Sequence, residues 1–277
     1  MKNFICTTCG VQVESAMAAP EKCLICSEER QYVSSTGQTW TTLEEMIQSG
    51  IYKNTISPEE QGLYSVSTSP SFGIGQMAYF LQGKNVNVLW DCLTYLDSAT
   101  INEIKELGGI DAIALSHPHY YSTQVEWAEA FDAPLYIHED DKEWVTRASN
   151  KIVFWSGESL EVAEEMILHR IGGHFKGATV LEWKEGNAQQ GVLLTGDIVR
   201  VVADRQWVSF MYSYANFIPL PASTVQGIAS RLGTVNFTRL YDAFHRIIKN
   251  DAKERVQKSA ERYVDALNGV HFRTEAL

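Results

Sequence analysis

Five residues able to bind a metal stand just past apolar, strand-length runs of this chain: His117, His119, His174, Asp197 and His245. Residues 111–115 lead into Ser116-His117-Pro118-His119, and residues 166–171 into Gly172-Gly173-His174. Residues 191–194 lead into Thr195-Gly196-Asp197, and residues 239–243 into Phe244-His245. In layered α/β folds, strand ends and the loops after them are where chemistry collects. In extended backbone His117 and His119 project to one side, because side chains alternate along a strand. Pro118 between them removes a backbone donor, which places the pair at a strand end or in a loop. Two imidazoles so placed suit one ion, which takes about four ligands with Zn–N bonds of roughly 2 Å. An isolated pair of this kind is more often two solvated loop histidines, so the metal reading depends on the residues downstream.

The N-terminal stretch carries a second metal pattern. Cys6-Thr-Thr-Cys9-Gly10 and Cys23-Leu-Ile-Cys26-Ser27 hold four of the five cysteines, with 13 residues between the two knuckles. Each knuckle offers two thiolates on a tight turn, and two knuckles close a tetrahedral shell around Zn²⁺. Two disulfides are the competing reading. Met1-Lys-Asn-Phe-Ile-Cys6 contains no apolar signal region, so a cytoplasmic, reduced chain is expected and disulfides are disfavoured. Residues 1–36 are too few to hold together by burial alone, so the metal is expected to act as their core. Four cysteines leave no open coordination position, which makes this ion structural rather than catalytic. Docking on the rest of the chain, formation of a homo-oligomer and recruitment of a protein partner are all open to such a segment. Cys92, a lone thiol beside a strand end, is expected to take no part.

With 277 residues, the remainder from 37 onward is long enough for one large domain with a full core. No apolar run reaches the length of a membrane span. The formal charge of −11 excludes the basic footprint of a nucleic-acid binder and favours a small-molecule substrate. Residues 37–57 read as a linker leading into a short helix at 42–48, capped by Thr41 or Thr42. Strands are predicted at 63–67, 74–81, 86–90, 134–137 and 180–183, besides the four that precede the metal-competent residues. Helices are predicted at 100–107, stopped by Gly108-Gly109, at 123–130 with Thr123 as cap, from the acidic turn 139–141, at 223–232 and at 251–267. His138 matches no ligand pattern and is read as structural.

Leu89-Trp90-Asp91, Ser116-His117-Pro118-His119, Gly172-Gly173-His174, Thr195-Gly196-Asp197 and the late His245 follow the order and spacing of five motifs. In these the chain resembles the metallo-β-lactamase-fold metallohydrolases over nearly all of residues 60 to 250. The resemblance implies an α/β, four-layer αβ/βα sandwich with a metal site at one edge of two facing sheets. The cysteine segment resembles a zinc ribbon; rubredoxins also pair such knuckles, with a longer interval. One departure matters: the family pattern H-x-H-x-D-H reads His117-Pro118-His119-Tyr120-Tyr121-Ser122 here. Tyr121 and Ser122 replace the main ligands of a second ion, so the resemblance implies one metal where relatives hold two.

By that resemblance His117, His119 and His174 hold a Zn²⁺ or Fe²⁺, and Asp197 is a fourth ligand or accepts a hydrogen bond from a coordinated water. His245 is ligand, proton shuttle or plain structure. Asp91 orients a ligand from outside or stabilises the loop around it. Tyr121 either donates to a developing oxyanion or fills the space of the lost site. Trp207, Phe210, Met211, Tyr212 and Tyr214 line an apolar substrate site or pack the core. The expected activity is hydrolysis of a small ester, thioester or lactone. The rivals are a mononuclear non-haem iron oxygenase of the sulfur-dioxygenase kind, with two histidines and Asp197 as a facial triad, and a decayed fold serving as a binding module.

Overall fold

The computed structural model of the chain describes residues 1–270. Two sheets face one another, with helices outside each, forming a four-layer αβ/βα sandwich. The first sheet has seven strands in chain order: Lys53–Glu60, Leu63–Ser69, Ala78–Leu81, Val88–Trp90, Ala112–Ala114, Leu135–His138 and Ile152–Trp155. The first four run antiparallel. The last three run parallel, because helical crossovers (Ser98–Glu106, Gln124–Phe131 and the 3₁₀ turn Glu139–Trp144) carry the chain back between them. The second sheet has six strands, and Ala222–Thr234 spans its one parallel pair, Val192–Leu194 with Arg239–Tyr241.

Residue alternation sets the layers. Tyr79, Leu81, Val88 and Trp90 point between the sheets, where they meet Leu168, Leu181, Trp183 and Leu194. Their neighbours Phe80 and Leu89, with Ile113 and Leu135, point the other way onto Ile104 and Trp127 of the outer helices. On the far side Leu193 and Leu240 pack against Val225, Ile228 and Leu232 and against Val256 and Ala260 of the C-terminal helix Ala252–Leu267. Fully burying each such side chain contributes roughly 1.5–3 kcal/mol. No helix among the described residues is long and apolar enough to cross a membrane.

The cysteine segment shares a core with the first sheet rather than standing clear of it. Cys6, Cys9, Val11, Cys23, Ile25 and Cys26 belong to the same buried cluster as Phe80, Leu93 and Tyr121. Its backbone is tied down by Gln12 N–H donating to Ser122 O (3.0 Å) and Glu14 N–H to Thr146 O (2.9 Å). The Thr94 hydroxyl donates to Gly10 O at 3.0 Å. Gly73, with φ +61, lets the two backbones touch: a Cβ there would lie 3.0 Å from the Cys9 carbonyl carbon and the Gly10 nitrogen.

Several local expectations shift. Residues 53–60, read as the end of a linker and beyond, form the edge strand of the first sheet. Its polar sequence and Pro58 obscured it, and an edge is where a strand tolerates both. Strands Ile152–Trp155 and Ser159–Ala163 also escaped the sequence. Thr42 caps its helix, accepting from Glu45 N–H at 3.2 Å. Thr123 does not cap: its hydroxyl donates to the carbonyls of Leu93 (3.0 Å) and Thr94 (2.9 Å). The strand predicted at 74–81 begins at Ala78, leaving Ile74 in a loop.

Candidate metal centre

One donor atom each from His117, His119, His174 and Asp197 lies within 4.8 Å of every other. His117 leaves the strand Ala112–Ala114 in extended backbone (φ −171°, ψ 169°), after which Pro118 opens a single 3₁₀ turn, Pro118–Tyr120. The two histidines thus converge because the chain turns at the proline, and not, as expected, by alternation along one strand. Their rings stand 5.1 Å apart at 73°. His174 arrives through Gly172 and Gly173, both left-handed (φ +73° and +87°). At Gly173 the left-handed backbone favours glycine, and a Cβ would also press on Ile228 Cδ1 of the helix Ala222–Thr234 at 2.8 Å. Asp197 follows the strand Val192–Leu194, which pairs beside Thr179–Trp183.

The distances suit an ion. His117 Nε2 lies 3.1 Å from Asp197 Oδ1, His174 Nε2 3.7 Å from the same oxygen, and His174 Nε2 3.1 Å from His119 Nδ1. Bonds of roughly 2.0–2.1 Å in a tetrahedral shell put neighbouring donors about 3.3 Å apart. His117 Nε2 and Asp197 Oδ1 are buried, yet neither has a hydrogen-bond partner among the described residues. Buried polar atoms are seldom left unpaired, and an ion between them supplies what both lack. Burial, reinforced by His174, holds the imidazoles of His117 and His119 well below their usual pKa of 6.5. Both are therefore neutral at pH 7, as ligands must be.

Outer contacts fix two of the rings. Ser116 Oγ sits 2.8 Å from His117 Nδ1, and Asp91 accepts from Ser116 N–H (2.7 Å) and Ser116 Oγ–H (3.0 Å). Burial pushes the Asp91 carboxyl up to about 8, against the pull of these two bonds. His174 Nδ1 lies 2.9 Å from Met211 O, a carbonyl that requires the proton on that nitrogen and leaves Nε2 free to ligate. His119 lacks such a contact, since its Nε2 is buried without a partner among the described residues. The edge of Phe175, 4.8 Å away at 89°, packs it instead.

The four knuckle cysteines form the other donor group. Cys6 and Cys26 sulfurs lie 3.5 Å apart, Cys9 and Cys23 sulfurs 3.6 Å. Disulfides at about 2.05 Å are excluded by that spacing, whereas Zn–S bonds of about 2.3 Å place sulfurs about 3.8 Å apart. Burial pushes the Cys9 thiol up, so thiolates gathered there need a cation. Cys92 is buried and outside the group.

Two residues expected at the site are elsewhere. His245 is exposed, at φ +57° in the turn after Arg239–Tyr241, and faces a separate cavity with Ser67, Gln76 and Leu93. It is not among the donors gathered around Asp197. Tyr121, 1% exposed, lies in the core with Cys92, Leu93 and Trp127 and does not reach the cavity over the donors. Ser122 Oγ accepts from Gln76 Nε2 at 3.0 Å. The aromatic segment divides: Tyr214 faces the cavity, Phe210 is core, Tyr212 packs on Arg30, and Trp207 sits under Arg262 far from the donors. His138 is structural, accepting from Asp140 N–H at 3.2 Å.

A cavity of about 290 Å³ opens over His119, His174 and Asp197. Thr8, Arg30 and Tyr32 of the cysteine segment form part of its wall, with Arg200 and Phe244 opposite. None of these was foreseen. Only Ser116, placed directly before the histidine pair, carried a local sign of its role. Thr8, Arg30 and Tyr32 are brought in from distant sequence, whereas Arg200 and Phe244 stand close to Asp197 and His245 in the chain.

The chain is 60% identical over 274 residues to the uncharacterized protein YmaE of Bacillus subtilis (strain 168), covering 99% of this chain and 100% of that one. It matches no family model. Among solved structures, the DIM-1 metallo-β-lactamase superposes with a TM-score of 0.57 at 14% identity, over 76% of this chain and 98% of that chain. The FIM-1 metallo-β-lactamase of Pseudomonas aeruginosa, in its mono-zinc form, gives 0.54 at 16%, over 76% and 96%. At these identities the likeness is one of fold.

Proposed function

Since the chain belongs to one family with YmaE and has the metallo-β-lactamase fold, we propose that it is a hydrolase of a small ester, thioester or lactone. It would use a single Zn²⁺ held by His117, His119, His174 and Asp197. The observation that carries this reading is the pair of buried, unpartnered donors, His117 Nε2 and Asp197 Oδ1, facing each other at 3.1 Å, with Asp197 also lining the cavity. Such an ion supplies Lewis acidity and lowers the pKa of a coordinated water from near 16 toward about 7.

The protein's own part is to hold the donors and shape the cavity. Ser116 and Asp91 hold the His117 ring, and the Met211 carbonyl holds that of His174. Phe175 packs against the histidine rings and Phe244 lines the cavity, while the Tyr120 ring packs on His117 with its phenol beside Asp197. The single-ion reading is supported by Tyr121 in the core and Ser122 engaged with Gln76; among the described residues no second donor group adjoins the first. FIM-1 shows that one zinc can occupy this fold. The same proposal divides the chain into a Cys₄ zinc-ribbon segment, residues 1–36, and a metallohydrolase domain from 37 to 277.

Full-length protein reconstituted with zinc is expected to bind one ion per donor group, two per chain. It is expected to hydrolyse at least one class in a panel of generic esters, thioesters and lactones, and His174→Ala to abolish that activity with loss of one zinc. A doubly loaded chain inert to the whole panel would overturn the proposal. Iron, rather than zinc, in the three-histidine site of protein isolated from cells would also overturn it, in favour of oxygenase chemistry.

A further inference from the structure

Arg30 lies four residues past Cys26, the last knuckle cysteine, yet its Nη1 donates to the backbone carbonyl of His174 at 3.0 Å. Its guanidinium lies over the Phe175 ring at 3.9 Å, with Tyr212 and Trp144 at 5.1 and 5.4 Å. Glu28 fixes the side chain, accepting from both the backbone N–H and Nε of Arg30 at 2.8 Å. Glu28 is in turn held by the Tyr212 hydroxyl at 3.3 Å.

The same short stretch grips the segment that orients His174 from the other side. Ser213 Oγ donates to Arg30 O at 2.9 Å. Asn216 Nδ2 donates to the carbonyls of Glu29 (2.8 Å) and Gln31 (3.0 Å). That segment begins with the short strand Met211–Ser213, and the Met211 carbonyl faces His174 Nδ1. His174 is thus held at its backbone by Arg30 and at its ring by a segment that residues 28–31 clamp. The stretch is anchored upstream by the second knuckle, where Ser27 N–H donates to Cys23 O at 3.0 Å and Glu28 N–H to Ile25 O at 3.4 Å.

We infer that Arg30 is a positioning residue for His174, and that the Cys₄ segment is a built-in clamp on the main-domain metal site. Loss of the Cys₄ ion then loosens the three-histidine site across the chain of contacts 23–26, 28–31, 211–216 and His174. The inference rests on the proposed metal reading but says nothing of the substrate. Planar stacking and a forked donor make arginine hard to replace here, since lysine offers neither. The clamp is an outer contact to a metal ligand, a class whose removal typically costs 10–100-fold in affinity.

The test uses full-length protein loaded with Co²⁺ or Zn²⁺, read by chelator competition and by the visible spectrum of the cobalt form. Arg30→Ala is expected to weaken the three-histidine site 10–100-fold and shift its ligand-field bands, leaving the thiolate-to-cobalt bands of the Cys₄ site unchanged. Arg30→Lys is expected to recover little, because charge alone does not rebuild the fork and the stack. Cys26→Ser is expected to weaken the same site, and its combination with Arg30→Ala to cost less than the two losses summed, as coupled residues do. A main-domain affinity and spectrum unchanged in Arg30→Ala would overturn the inference alone, with the hydrolase proposal intact. An unmodified chain that binds metal only through its cysteines would overturn both.

Discussion

Writing the family's ligands back into the chain, as Tyr121→Asp with Ser122→His, is the natural way to ask why a second ion is missing. From the sequence alone this exchange is expected to recruit that ion. The structure reverses the expectation. Tyr121 is 1% exposed and shares its cluster with Cys9, Cys92, Leu93, Leu115 and Trp127. Truncating a buried aromatic of that size costs about 3–5 kcal/mol. The carboxyl put in its place would stand near two buried acids, Asp91 and Asp141, which already act on the Tyr121 phenol. Burying such a group without a partner adds roughly 1–3 kcal/mol. Ser122 is 1% exposed and its carbonyl accepts Gln12 N–H from the cysteine segment at 3.0 Å, so the larger histidine ring meets a filled site and a docked neighbour. The sum, about 4–8 kcal/mol, is comparable with the 5–15 kcal/mol that holds a typical protein folded. Urea denaturation with and without excess zinc, followed by elemental analysis of the soluble fraction, reads the outcome. The expected result is a much lower midpoint and no additional zinc per chain. A double variant as stable as the parent, carrying one further zinc, would refute this reasoning and show that Tyr121 is not core.

Three shorter predictions concern the centre and its surroundings. Ser116→Ala cuts the link between Asp91 and His117 and is expected to weaken the three-histidine site 10–100-fold, about 1.4–2.7 kcal/mol, in chelator competition; an unchanged affinity removes this serine from the site. Cys9→Ser is expected to lose one metal equivalent and to lower the melting temperature by roughly 10 °C, for a loss of about 3–5 kcal/mol, while Cys92→Ser keeps the full complement. The Asp141 carboxyl is pushed up to about 7 by burial, against the Gly177 N–H that donates to it at 2.7 Å. Its native form therefore holds a proton that the unfolded chain releases near pH 4. Between about pH 4 and 7 its contribution to stability falls as pH rises, by on the order of 4 kcal/mol. Asp141→Asn is expected to flatten that part of the stability–pH curve, and a curve of unchanged slope would contradict the assignment.

Much of the centre was written locally. Each candidate donor follows an apolar run, and a strand that feeds a sheet delivers its next residue to the sheet's edge whatever the rest of the chain does. That is why His117, His174 and Asp197 could be named from order and spacing. The knuckles are likewise self-contained, since two cysteines on one tight turn need only a second such turn. The edge strand Lys53–Glu60 was not legible, because it is largely polar and only Asn54 is fully buried, so no alternating apolar pattern marks it.

Tertiary structure alone decided the rest. Nothing near His245 in sequence shows that it faces another cavity, and nothing near Tyr121 shows that the core closes over it. Arg30 reads as an ordinary surface arginine until residues 144, 175 and 212 are brought around it. The sequence by itself determined which side chains can bind metal, since that is a property of residue type and local backbone. Where those side chains point, and what holds them there, depends on contacts between segments more than a hundred residues apart, as when Arg30 meets His174. Only the folded sandwich brings such segments together.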